Sequence, residues 1–303
     1  MKALPTLVLP LLLLPGCLAG AEPADLAVAS YPAAFAAETL AGDDLRVADL
    51  APGGELHDFE PSSRDLDQLR KSTHLVLWDE RLEAWAHRAE ASLGGSAPQV
   101  VEIGRLPPGE TYLQGEDGKG GSGEGDDGRG HDEARDPHTW TDPLAMQASV
   151  AALEAYLAEA YPEHAADVHA RAAAVTDRLA ELDRAFRSAL SACTHSTIVT
   201  NHEAHAYLAR RYGIELVNLH GLEPGSEPSP GTVESVIRTL KDLGLPALFI
   251  EEGTDPDALR AIQDETGVQV RVLHTLEARP ASGDYVDAQY QNIQELRFAL
   301  ACA

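Results

Sequence analysis

The sequence predicts an α/β protein with two lobes of parallel-sheet βα units joined by one long rigid helix. Three observations predict it. Short β-rich runs alternate with helical stretches in the first hundred residues, and the same alternation resumes near residue 197. Alternation of this kind builds βα units around a mostly parallel sheet. Between the two series, Pro143 to Leu190 is almost continuous alanine-rich helical sequence. The chain's 303 residues are enough for one large or two medium cores.

In the first series, Leu26 to Ser30 is a strand, Ala33 to Leu40 a helix and Leu45 to Leu50 a second strand. Arg64 to Lys71 is helical, Leu75 to Trp78 a third strand, Arg81 to Leu93 a helix and Gln99 to Ile103 a fourth strand. The pattern then breaks. Gly115 to Asp136 holds eight glycines and eight acidic residues with almost nothing apolar to bury, which predicts a disordered acidic loop. Helical sequence follows from Pro143, interrupted at Tyr161-Pro162, where a proline starts a helix more easily than it continues one. Glu163 to Leu190 carries no turn signal and predicts one helix on the order of 40 Å long.

The second series places strands at Thr197 to Thr200, Glu215 to Leu219, Ala247 to Glu251 and Val268 to Leu273. Helices are expected at Glu203 to Tyr212, Thr232 to Leu243, Pro256 to Thr266 and Tyr285 to Ala301. The resulting division is a leader over 1–21, an N-terminal lobe over 22–160 with the acidic loop at 115–136, a linker helix over 161–190 and a C-terminal lobe over 191–303.

The leader decides the compartment. Met1-Lys2 is positive, and Ala3 to Pro15 is a leucine-rich run too short for a bilayer, which needs roughly 20 apolar residues. It fits a secretory signal. Leu14-Pro15-Gly16-Cys17 resembles the lipobox of bacterial lipoproteins, which implies lipidation at Cys17 and a cell-surface or periplasmic anchor. Cleavage after Ala19-Gly20-Ala21 is the alternative and gives a soluble periplasmic form. Either route leaves Cys193 and Cys302, an even pair that an oxidising compartment would join, closing a loop worth roughly 4–5 kcal/mol in the chain-entropy model. Two buried thiols are the other reading. A formal net charge of −26 repels phosphate backbones and excludes nucleic acid as a partner.

Ligands of open α/β sheets sit beyond the carboxyl ends of strands. Four of the twelve histidines fall there: His57 after the second strand, His138 after the fourth, His202 after the first strand of the second series, and His274 at the end of the last. Two come from each half, so an ion held by all four would lie in the cleft between them. Nitrogen-rich donor sets favour Zn2+ over Mn2+ or Mg2+, and four protein ligands leave no open position to activate water, which predicts a binding protein and not an enzyme. Asp58, Asp136 and Glu203 flank these histidines and are candidates for orienting the rings. His74, His87, His164, His169 and His195 have no clustered partners, and His220 ends a strand without support from its neighbours; His131 lies in the acidic loop. His205 competes with His202, three residues away on the expected helix, and this spacing falls one residue short of H-E-x-x-H, so a zinc protease is not indicated. No G-x-S-x-G nucleophile motif is present.

Several segments together resemble the zinc and manganese solute-binding proteins of bacterial ABC transporters. They are Gly53-Gly54-Glu55-Leu56-His57-Asp58-Phe59-Glu60-Pro61, Asp136-Pro137-His138-Thr139-Trp140-Thr141-Asp142-Pro143, His202 with Tyr207, Glu227-Pro228-Ser229-Pro230 and Glu265-Thr266-Gly267. The resemblance covers nearly the whole chain after the leader. It implies His57, His138 and His202 as ligands, with the fourth position, usually aspartate, taken by His274 in Leu273-His274-Thr275-Leu276. Imidazoles at the third and fourth positions point to the zinc branch. The implied function is capture of one Zn2+ per chain by a monomer, and delivery to the membrane subunit of an ABC permease, with release through a local change around one ligand. An exported zinc chaperone, a metal-binding surface adhesin and a manganese-specific member are the alternatives. Histidine 274 swinging away, to leave three imidazoles and a water, remains open.

Overall fold

The computed structural model describes residues 22–52, 56–57, 59–115, 135–221, 228–254 and 259–303. The leader with Cys17, residues 116–134 of the acidic loop with His131, and parts of the first and fourth motif segments (Gly53, Gly54, Glu55, Asp58 and Glu227) lie outside them.

Two four-stranded parallel sheets form the two lobes. The first holds β1 (Ala24–Val28), β2 (Val47–Asp49), β3 (Ser72–Leu77) and β4 (Gln99–Glu102) in the order β2-β1-β3-β4. The second holds β5 (Thr197–Thr200), β6 (Glu215–Asn218), β7 (Ala247–Ile250) and β8 (Gln269–Val272) in the order β6-β5-β7-β8, which repeats the first. Every pairing is parallel; Leu26 registers with Val47 and His74, and Phe249 with Thr200 and Arg271. Parallel pairing requires crossovers, and helices supply them. They are α1 (Tyr31–Ala41), α2 (Ser63–Arg70) and α3 (Trp85–Leu93) in the first lobe, and α6 (Ala206–Tyr212), α7 (Pro230–Leu243) and α8 (Arg260–Thr266) in the second, where α9 (Tyr285–Ala299) follows the last strand.

The alanine-rich stretch forms two helices, α4 (Pro143–Ala160) and α5 (Ala165–Ala189). The break falls where Pro162 predicts it, but α5 begins three residues later, after a turn in which His164 donates its amide to Tyr161. Its 25 residues span about 37 Å. Val168, Ala172, Val175, Leu179, Leu182 and Phe186 recur every three or four residues and form its buried stripe. That stripe packs on α4 and α1 on one side and α9 on the other. A single apolar core thus runs from Trp78 and Met146 through Leu182 and Phe186 to Phe249 and Leu296. Burial of each large side chain there contributes about 1.5–3 kcal/mol.

Cys193 and Cys302 form a disulfide, tying the segment after α5 to the end of α9. Among the described residues no helix is long and apolar enough to cross a membrane.

Candidate metal centre

Loops from both lobes that follow strand ends bring four side chains together. His57, His138, His202 and Glu277 each present one donor atom, all within 4.8 Å of one another. They come from the loops after β2, β4, β5 and β8.

His138 is the most firmly placed. Its segment is fixed from both ends by the motif that contains it. Asp142 caps α4, accepting the Leu144 amide at 2.9 Å and the Arg211 guanidinium at 2.6 Å, and Pro143 occupies the first helical turn, where its missing N–H costs nothing. Trp140 is fully buried, with its indole donating to the Thr275 carbonyl at 2.7 Å and its ring 5.0 Å from that of His138. Asp136 accepts both the backbone amide of His138, at 2.8 Å, and its Nδ1–H, at 2.7 Å. This fixes the tautomer and turns Nε2 toward Glu277, the carboxylate–histidine arrangement that orients metal-bound imidazoles.

Glu277 sits 3.5 Å from both His57 Nε2 and His138 Nε2, and 3.8 Å from His202 Nδ1. A tetrahedral zinc with bonds of 2.0–2.1 Å separates its donors by about 3.4 Å. Two of the donor pairs therefore already stand at coordination spacing. His138 Nε2 and Glu277 Oε1 are buried and make no hydrogen bond, although each faces the other. The three rings lie 5.1–5.6 Å apart, centre to centre. His202 Nδ1 also approaches a second carboxylate, Glu251, at 3.3 Å.

The electrostatics fit a cation. Burial alone would lower the pKa of His138 and raise that of Glu277. Asp136 and Glu277 overcome this at His138 and push it up to about 10, while His138 and His57 hold Glu277 well below the usual carboxylate range. In the metal-free protein a proton on His138 thus takes the place of positive charge that an ion would bring.

His274, expected as the fourth ligand, lies outside this group. The His274 ring is bonded to Glu252 through Nδ1 and to Gln291 through Nε2, 2.9 Å, and is not part of the group. The backbone gives the reason. Leu273 is buried in the core, and Asn292 of α9 brackets the next peptide, accepting the His274 amide at 2.8 Å and donating to its carbonyl at 2.9 Å. This fixes His274 on the opposite side of the strand from Leu273, as alternation in an extended chain requires. Leu276 then adopts φ 62°, a left-handed turn uncommon for a non-glycine residue, and the chain reverses so that Glu277 points back at the histidines. The carboxylate of the group thus lies three residues beyond His274.

His205 is not on the same helical face as His202, because α6 starts at Ala206 and residues 202–205 form a turn. Its ring is buried among the other imidazoles, and desolvation, reinforced by His202 and His138, depresses it to about 3, so it stays neutral. Tyr207 spans the lobes, its hydroxyl donating to the Asp136 carbonyl at 2.8 Å and accepting the Leu113 amide at 3.0 Å. His74 bonds Tyr156, His169 bonds Glu154 and His87 pairs with Glu80, all remote from the group.

A family model described as zinc-uptake complex component A, periplasmic (ZnuA), matches residues 27–299. The chain belongs to this family. Among curated ZnuA relatives it is 29% identical over 278 residues to the zinc-binding protein AdcA of Streptococcus pyogenes, covering 88% of this chain and 54% of that protein. It is 26% identical over 251 residues to the high-affinity zinc uptake system protein ZnuA of Bacillus subtilis, covering 81% and 77%. The chain spans about half the length of the AdcA proteins it matches. Among solved structures, the laminin-binding protein Lmb of Streptococcus agalactiae, described as a bifunctional adhesin and metal transporter, superposes with a TM-score of 0.79 at 25% identity, over 91% of this chain and 99% of that one. A zinc-bound variant of AdcAII from Streptococcus pneumoniae does so with the same score and identity, over 92% and 98%. The two-lobed parallel α/β fold is therefore the family's fold.

Proposed function

We propose that this chain captures one Zn2+ per molecule outside the cytoplasm and delivers it to an ABC-type membrane permease. The observation that carries the reading is the convergence of His57, His138, His202 and Glu277, four loops apart in sequence, on one point between the lobes. Three imidazoles and one carboxylate suit zinc better than manganese, which prefers oxygen donors. Four protein donors complete a tetrahedron and leave no position for an activated water, so the chain binds its ion and transforms no substrate. One chain supplies the full donor set, which supports a monomer. Lipidation at Cys17 is the anchoring route the sequence favours.

The test is metal analysis of protein purified without chelator, followed by zinc titration of wild type and E277Q. One zinc per chain in the wild type and on the order of hundredfold weaker binding in E277Q is expected, since removing one charged donor leaves the others in place. A wild type with no zinc, or E277Q indistinguishable from it, would refute the reading. Loss of zinc-limited growth on deletion of the gene, copied by deletion of a neighbouring permease gene, tests delivery.

The likeness to laminin-binding proteins favours a second reading as a surface adhesin. Immobilised laminin retaining wild type and E277Q equally would support adhesion independent of the metal centre; no retention removes it.

A further inference from the structure

Glu277 belongs to the second lobe by sequence but faces the histidines of the first. The segment that carries it, between β8 and α9, must therefore be held across the gap. Two first-lobe attachments do this, each two residues from Glu277. Upstream, Trp140 binds the Thr275 carbonyl inside the core. Downstream, Arg279 reaches Glu38 of α1 with both arms, at 2.6 and 3.0 Å, and Asp49 at the end of β2 at 3.3 Å, with its guanidinium 5.2 Å from the centre of the Tyr31 ring.

The two attachments differ in one respect. Trp140 is fully buried, whereas Arg279 and Glu38 are 39% and 40% exposed. A solvent-facing ion pair opens more readily than a buried bond, and a two-armed one is the strongest of its kind. Opening it would free the chain downstream of Glu277 while the buried attachment and the histidines stay in place. Asp49 also ends the strand whose following loop carries His57, so the same guanidinium touches the supports of two of the four donors.

Resting on the metal-site reading above, we propose that Arg279, paired with Glu38 and Asp49, is a positioning residue that latches Glu277 onto the histidines and sets how fast the ion leaves. The latch acts on the dissociation rate. The ion enters among histidines already gathered and is then closed in by Glu277; it leaves when the loop lifts. A receiving membrane protein that engages either side of the pair would open it without separating the lobes.

The experiment is stopped-flow dissociation of Zn2+ into excess chromogenic chelator, using the full chain. R279Q is expected to release zinc about tenfold faster, because affinity differences in related sites lie mostly in the off-rate. R279K should fall between, since an ammonium keeps the charge and loses the two-armed fork. The exchanged pair E38R with R279E should recover part of the wild-type rate, since the new carboxylate is repelled by Asp49. In an E277Q background, R279Q should add nothing further. Co2+ absorption of R279Q should show a weakened tetrahedral band, with the melting temperature of the metal-free protein within a few degrees of wild type. An unchanged rate in R279Q with one zinc bound overturns the latch alone. An equal acceleration with and without Glu277 also overturns it, as a general loosening. A wild type that takes up no zinc overturns the site and the latch together.

Discussion

The two lobes share a strand order and use it differently. In the first, Asp136 accepts from the His138 ring, Trp140 packs against it, and Glu83, in the turn after β3, accepts the amides of Trp78 and Asp79 at 2.6 and 3.2 Å, while Tyr207 and Arg211 of the second lobe also bond the His138 segment. In the second, the corresponding carboxylate, Glu251 after β7, bonds a donor imidazole, and Glu277 is held by bonds to the other lobe. The same sheet topology thus gives one lobe whose His138 is oriented by a carboxylate two residues away, and another whose Glu277 is held through neighbours that bond the opposite lobe. Under the proposed function, the orientation of His138 would raise affinity and the dependence of Glu277 on the other lobe would permit release.

Four measurements sharpen or break this contrast. H138A strikes the fixed half, and zinc affinity should fall on the order of a thousandfold, as roughly 10–16 kcal/mol of binding is shared over four donors. Competition with a chelator of known affinity reads it. D136N keeps the ring but loses the carboxylate that orients it, and a 10–100-fold loss is expected in the same assay. A loss below threefold would show that His138 is not preorganised by its neighbour.

Glu83 makes a prediction for the first lobe's stability. Burial pushes its carboxyl from 4.5 up to about 8, partly opposed by the Trp78 and Asp79 amides and the Ser30 hydroxyl. Its folded pKa is raised, so the folded state binds the extra proton between those values. Its contribution is greatest at low pH and is lost as pH rises from 4.5 through 8. Denaturant midpoints of the metal-free protein should show this downward slope, and E83Q, fixed in the neutral form, should flatten it. Smallest of all, H274A should change zinc affinity by less than threefold. A loss comparable to that of D136N would return His274 to the donor set and displace Glu277.

The sequence made most of this legible because the signals were local. Alternating β-rich and helical runs located the eight sheet strands among the described residues, and Pro162 located the break between α4 and α5. The segment from Asp136 to Pro143 was singled out for His138, and the structure places that residue in a buried turn ahead of α4, which Asp142 caps. The helix expected from Glu203 starts at Ala206, since residues 202–205 are spent on the turn that presents His202. The fourth member of the group, Glu277, was not legible in the sequence for a nonlocal reason. Whether His274 or Glu277 faces the cleft depends on Asn292 bracketing one peptide and on a left-handed turn at Leu276, which no composition cue marks because leucine seldom adopts it. An acid in an otherwise apolar Thr275-Leu276-Glu277-Ala278 run was the only hint.

The placement of Trp140 has a practical corollary. Its indole lies against the His138 ring, within 5.0 Å, and edge-on to Trp78 at 5.8 Å. An imidazolium draws electrons from an excited indole, and a coordinated neutral imidazole does so far less. Filling the centre should therefore brighten the protein's own ultraviolet emission, so that occupancy can be followed in real time with no dye attached.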